Sequence, residues 1–227
     1  MNSPGSRWNI NLDNEANDAA VLFSHGLAIT ENITRDYTAA AVAAMSLLAL
    51  GAEKLLKLTI GLAHLDSGNP WPRQGYMRRD IGHRVATADK TARDLLNLNS
   101  GTAPGDVQEK AARVDGDKIL AVALAALERF GDAGRFYFLD SLGEQPQMGR
   151  APHFLWLDMV SEIMTAEPGL VPKINTEEEF RQARASINQV IVGSLTGWWD
   201  FYRSVWTTGV VGEQAKGFSS TIRLATR

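Results

Sequence analysis

Cysteine is absent from all 227 residues. That one absence removes disulfides, thiolate-held zinc, iron–sulfur clusters and thiol catalysis. The four histidines, His25, His64, His83 and His153, form no HExxH or other metal-ligand spacing, so neither a metal nor a cofactor is expected. The chain also lacks GxxxxGK[ST], a GxGxxG following a strand, and GxSxG. NTPase, dinucleotide-enzyme and hydrolase readings therefore have no support. An excess of either charge is missing, with 23 basic against 26 acidic residues and a net charge of −3, so any contact with nucleic acid must come from a local patch. The polar opening, Met1 to Ser6, has neither the basic nor the apolar region of a signal peptide. The apolar run Ala39–Leu50, about a dozen residues, is short for a bilayer span and is followed by Glu53, Lys54 and Lys57. A cytoplasmic location without a membrane partner is expected.

What is present is helix signal. Apolar residues make up 44% of a chain long enough to bury a core. No stretch alternates with period two, and no internal repeat is visible. Asn32 or Thr34 is placed to cap a helix running to about Leu65, with Leu48, Leu55, Leu58, Leu62 and Leu65 at helical spacing. Glu53, Lys57 and His64 share another face of it. Pro70 and Pro72 end it, and a second helix is expected over Ile81–Leu98 with Asp80 as its cap. Val107–Phe130 reads as a third helical region with a break near Gly116. A short helix over Phe154–Ala166 follows, then a capping box, Thr176 with Glu179, opening a helix to about Trp206. The aromatic run Phe136-Tyr137-Phe138 reads as core, or as rings that stack bases beside Arg135. Trp198, Trp199 and Trp206 read as packing or dimer-interface residues. From Thr208 on, the weak patterning predicts an arm or a frayed tail. These signals give an all-α fold: an up-and-down antiparallel helical bundle over residues 1–142, with a C-terminal helical extension, 143–227, packed on it.

The best candidate for chemistry is Arg78 with His83, four residues between them, at a helix start. Cleavage of RNA without a metal needs a base for the 2′-hydroxyl, an acid for the leaving oxygen and a cation for the charge growing on phosphorus. Histidine suits the first two tasks and arginine the third. Backbone N–H groups at a helix N-terminus also attract an anion. Because one histidine cannot readily serve as both acid and base, a homodimer bringing two copies together would help. Arg79, Glu53 and His64 are the supporting candidates, His64 through the face it shares with Glu53. A second reading of the same residues stands beside this one, in which Gly82-His83 only starts a helix and Arg78-Arg79-Asp80 is a solvated turn.

Ala52-Glu53-Lys54-Leu55-Leu56-Lys57, a Pro/Gly loop, and Ile81-Gly82-His83 opening a helix that ends Asp94-Leu95-Leu96 resemble the HEPN domain superfamily, in its AbiV-like abortive-infection branch. The resemblance covers about residues 30–130. It implies a helical bundle, commonly dimeric. It also implies a metal-independent ribonuclease of phage defence or of a toxin–antitoxin pair, with an antitoxin protein as a further partner. By the same resemblance Arg78 holds the scissile phosphate, His83 transfers protons and Glu53 orients the motif. Arg79 departs from the pattern, since active members tend to carry a small polar or acidic group there. The alternative is a non-catalytic, dimeric interaction or nucleotide-binding protein that uses the Thr176–Trp206 helix.

Overall fold

The computed structural model describes residues 5–33, 37–96, 98, 103–143, 146–170 and 176–225. They form an all-α bundle with no strand among the described residues. The first helix, α1 (Ser6–Glu31), corrects the sequence reading, which placed no helix before Asn32. Its buried face is Leu12, Ala16, Ala19, Ala20, Phe23 and Leu27, a helical spacing built largely from alanine. Asn32 closes this helix instead of opening the next: its side chain donates to the Ala28 carbonyl at 2.8 Å. Thr34 lies outside the described residues.

Helix α2 (Tyr37–Asp66) pairs with α1 in antiparallel fashion, because Gly26 faces Leu48, Gly51 faces Phe23, and Lys54 meets Glu15 and Asp18. Gly51 permits the close crossing; a Cβ there would stand 2.8 Å from the Phe23 backbone nitrogen. The segment Ala39–Asp66 reaches a mean hydropathy of 1.6, enough by length and composition to cross a membrane. In this fold it is the spine, packed against α1, α3 (Val85–Leu96), α5 (Lys118–Asp132), α7 (Pro152–Ala166) and α9 (Gly212–Phe218).

The expected Ile81–Leu98 helix begins later. Tyr76–Ile81 is a π-helical turn, Gly82 takes φ +63°, and α3 starts only at Val85. Asp80 is therefore no cap; its carbonyl accepts a hydrogen bond from Arg84. The break near Gly116 is real. Helix α4 (Gly105–Gly116) ends there, and Asp117 caps α5 by accepting from the Leu120 N–H at 2.9 Å. A 3₁₀ turn and the short α6 (Tyr137–Asp140) lead on to α7.

Helix α8 (Glu177–Thr207) opens on the expected capping box, Thr176 and Glu179 each bonding the other's backbone N–H at 3.1 and 2.9 Å. Thr176→Ala should cost about 1 kcal/mol in urea unfolding, and an unchanged midpoint would show that the cap is dispensable. The C-terminal half of α8 is the more deeply buried, with Leu195, Trp198, Trp199, Phe201, Tyr202, Val205 and Trp206 all inside. Trp198 donates to Asp89 of α3, Trp199 to the Ile222 carbonyl and Trp206 to Thr59 of α2. These tryptophans are core residues, so the dimer-interface reading of them is withdrawn. The tail is corrected too: α9 packs on α2 and α8, and Val211, Ala215 and Ile222 are buried. The region after residue 143 shares the bundle's core, where Trp156, Ile191 and Leu195 line one small void with Met45, Leu48 and Leu127.

Candidate functional site

One face of α2 carries Glu53, Lys57, Gly61 and His64, residues three to four apart and so stacked along the helix. The chain leaving α2 doubles back along this face. Trp71 packs on Gly61 and Tyr76 lies against His64, with ring centroids 6.3 Å apart. At the far end His83 reaches Glu53: its Nδ1 is 2.9 Å from Glu53 Oε2. The other Glu53 oxygen accepts from Lys57 Nζ at 2.6 Å. Glu53 is 13% exposed and His83 50%, so the carboxylate is sheltered while the imidazole fronts solvent.

The tautomer follows from this contact. A carboxylate already paired with Lys57 acts as acceptor, which places a hydrogen on His83 Nδ1 and leaves Nε2 as the unprotonated nitrogen of the neutral ring. Glu53 thus orients the histidine, while the ammonium of Lys57 offsets the carboxylate charge.

His83 is held from behind as well. Its carbonyl lies against Gly131 of α5, where an added Cβ would stand 2.6 Å away. Glu128, one turn earlier on α5, accepts from the Thr87 N–H at 2.7 Å and caps α3 from outside the helix. Gly131→Ala should cost about 1–3 kcal/mol through overpacking against backbone. It should also move the His83 imidazole resonances in NMR; unchanged stability and spectra would remove this support.

Arg78 and Arg79 are exposed on the π-helical turn. Arg79 folds back over Gly75, its Nη2 within 2.9 Å of where a Cβ would sit. Arg78 lies on the turn and His83 two residues past its end, and both are exposed. His64 does not join them. It lies eleven residues along α2 from Glu53, about 16 Å at the helical rise, and its ring partner is Tyr76. Among the described residues no three His, Asp or Glu side chains group as metal ligands. The spacing of four between Glu53 and Lys57 marks them as a pair in the sequence, and the structure forms it; that His83 shares this carboxylate and is seated on Gly131 is not marked there. Nothing local points to Gly131, 48 residues further along the chain.

A second polar place lies between α3 and α4, a cleft of about 850 Å³ lined in part by Asp89, Arg93, Asp94, Asp115 and Asp117. Its charges largely satisfy one another, with Lys90 on Asp94 at 3.0 Å and Arg93 on Asp115. At its floor, Asp89 Oδ1 accepts from Trp198 Nε1 at 2.6 Å and from the Tyr202 hydroxyl at 2.7 Å. Burial raises the Asp89 carboxyl above its ordinary 3.8, against the pull of Trp198, Tyr202 and Arg93, and burial with Asp89 alongside raises the Tyr202 phenol well above its usual value. A carboxyl raised on folding favours the native state most below its unfolded pKa, and that contribution is lost as pH rises through the folded value. The stability of Asp89→Asn relative to wild type should therefore improve from pH 4 to pH 7. Melting curves at the two pH values check this, and a worsening difference would mean that the two donors and the Arg93 charge dominate.

Fold and surface geometry define an all-α helical bundle with an exposed histidine set on a sheltered glutamate–lysine pair. Compared with family models, with curated proteins and with solved structures, the chain matches none.

Proposed function

We propose that this protein is a metal-independent ribonuclease in which Arg78 engages the scissile phosphate and His83 transfers the proton. The observation that carries the reading is the 2.9 Å contact of His83 Nδ1 with Glu53, on a histidine that still fronts solvent. Here the inner nitrogen is fixed by a carboxylate and the outer one is left to act on a ligand, the division of labour that general acid–base catalysis needs. Arg78 lies exposed on the turn before it, a charged fork suited to phosphate oxygens.

The HEPN resemblance supplies the reaction class and the setting, phage defence or a toxin–antitoxin pair. The test is incubation of a labelled RNA with the protein in EDTA. Cleavage that persists in chelator and is lost in His83→Ala supports the proposal; an intact RNA with wild-type protein, across substrates with and without unpaired loops, overturns it. For the interaction-protein alternative, the part of the Thr176–Trp206 helix still open to a partner is its N-terminal half, since Trp198, Trp199 and Trp206 are spent on the chain's own core.

A further inference from the structure

The segment Arg135-Phe136-Tyr137-Phe138-Leu139 has two sequence readings, core or a stacking surface. The structure removes the first by turning the rings outward: Phe136 is 55% exposed and Phe138 54%. No residue of α6 is buried. The backbone that carries the rings is tied down at several points. Arg135 donates twice to the Gly131 carbonyl, at 2.7 and 3.2 Å, and Gln147 Nε2 donates to the Ala133 carbonyl at 2.6 Å. Arg129 holds the Met148 carbonyl at 2.7 Å, and the Tyr137 hydroxyl donates to the Gly149 carbonyl at 3.3 Å. Exposed aromatic rings on an anchored backbone are a presented surface.

The rings form a ladder that ends in a cation. Phe138 lies parallel to His153 at 5.9 Å and 7°, His153 meets Phe154 at 4.1 Å, and the Arg150 guanidinium lies 5.2 Å over the Phe154 ring. Arg150 is steadied by Asp158 at 3.0 Å. The Arg150 guanidinium thus stands over an exposed phenylalanine, while Arg129 and Arg135 hold the carbonyls of Met148 and Gly131. The segment that carries Phe136 and Phe138 follows α5 directly, and its first residue, Arg135, is bonded to Gly131, the residue on which the His83 backbone is seated.

We infer that this face is a stacking platform for an unpaired nucleic-acid strand. Every base offers a π face to a phenylalanine, and arginine complements both the ring face and the phosphate. Duplexes bury those base faces, so the platform selects single strands. The ribonuclease reading enters only in the choice of RNA over DNA.

The experiment is fluorescence anisotropy of the full chain with a labelled 12-nucleotide RNA of mixed sequence, the same sequence as DNA, and the RNA duplex, with His83→Ala used in parallel to prevent cleavage. The single strand should bind at least about tenfold more tightly than the duplex. Phe138→Leu with Phe154→Leu should weaken single-strand binding about tenfold or more, whereas Phe138→Trp should keep it. These side chains are exposed, and circular dichroism checks that each variant folds. Equal affinity for the RNA and DNA strands supports the platform as a stacking surface, and preference for RNA ties it further to the candidate site. Equal binding of strand and duplex, or unchanged binding by the leucine pair, overturns the inference. So does a leucine pair that converts a dimer to a monomer in sedimentation without changing RNA affinity, which would give the face to a second copy. Loss of strand binding in the leucine pair with no cleavage by wild type would keep the platform and remove the ribonuclease. Cleavage that depends on His83 but not on the rings would do the reverse.

Discussion

Replacing His83 with alanine should lower RNA cleavage by about 10²–10⁴-fold, the usual contribution of one positioned acid–base group. Folding should barely change, by less than about 0.5 kcal/mol, because the side chain is half exposed and its one polar partner retains Lys57. That combination, large in rate and small in stability, separates a catalytic histidine from a structural one. Glu53→Gln is the companion variant. It keeps the shape beside Nδ1 while removing the charge that fixes the tautomer, so its loss should fall between wild type and His83→Ala. Arg78→Lys should recover part of what Arg78→Ala loses, since an ammonium keeps the charge without the planar fork. Undiminished cleavage by His83→Ala would end the mechanism, whatever the other variants do.

Trp199→Ala should be among the most destabilising single changes, at about 3–5 kcal/mol for a fully buried tryptophan. Against a typical domain stability of about 5–15 kcal/mol, this is a substantial fraction. Three attachments are lost together: stacking on Phe23 of α1 at 4.5 Å, the bond to the Ile222 carbonyl at 2.8 Å, and the volume at the centre of the bundle. Trp199→Phe preserves much of the stacking but leaves the Ile222 carbonyl without its donor, for about 1–3 kcal/mol. The two variants also test the C-terminal segment. With Ile222 released, limited proteolysis should cut after Thr208 sooner than in wild type. A wild-type rate of cleavage in Trp199→Ala, or unfolding in urea at an unchanged midpoint, would show that the segment and the tryptophan are independent.

The sequence carried most of the helices because their signals are local. The Thr176/Glu179 box, the break before Asp117 and the proline stop after α2 each act within a few residues and survive any tertiary arrangement. Helix α1 was missed although its spacing was present, because alanine marks a helix face only where a neighbour comes close enough to bury it. The start of α3 was misplaced for a related reason. Asp80 is a good cap by type, but the π-helical turn and the positive φ of Gly82 shift the helix four residues on. Asp89, an acid within the apolar stripe of Val85, Ala88 and Ala92, was a visible sign of a buried partner, yet nothing local named Trp198 and Tyr202, more than a hundred residues away.

By itself, then, the sequence determined an all-α protein without cysteine chemistry, its main helix faces, and the pairing of Glu53 with Lys57 by their spacing on one helix. Tertiary structure decided which residues meet across helices. It brought His83 back onto Glu53, gave His64 to Tyr76, placed Gly131 behind the histidine, drew the tail into the core and turned the Phe136–Phe138 segment outward. Helix period and capping are short-range properties written in adjacent residues. Contacts between elements depend on how far each helix runs and where the chain turns, and they exist only once the helices have packed.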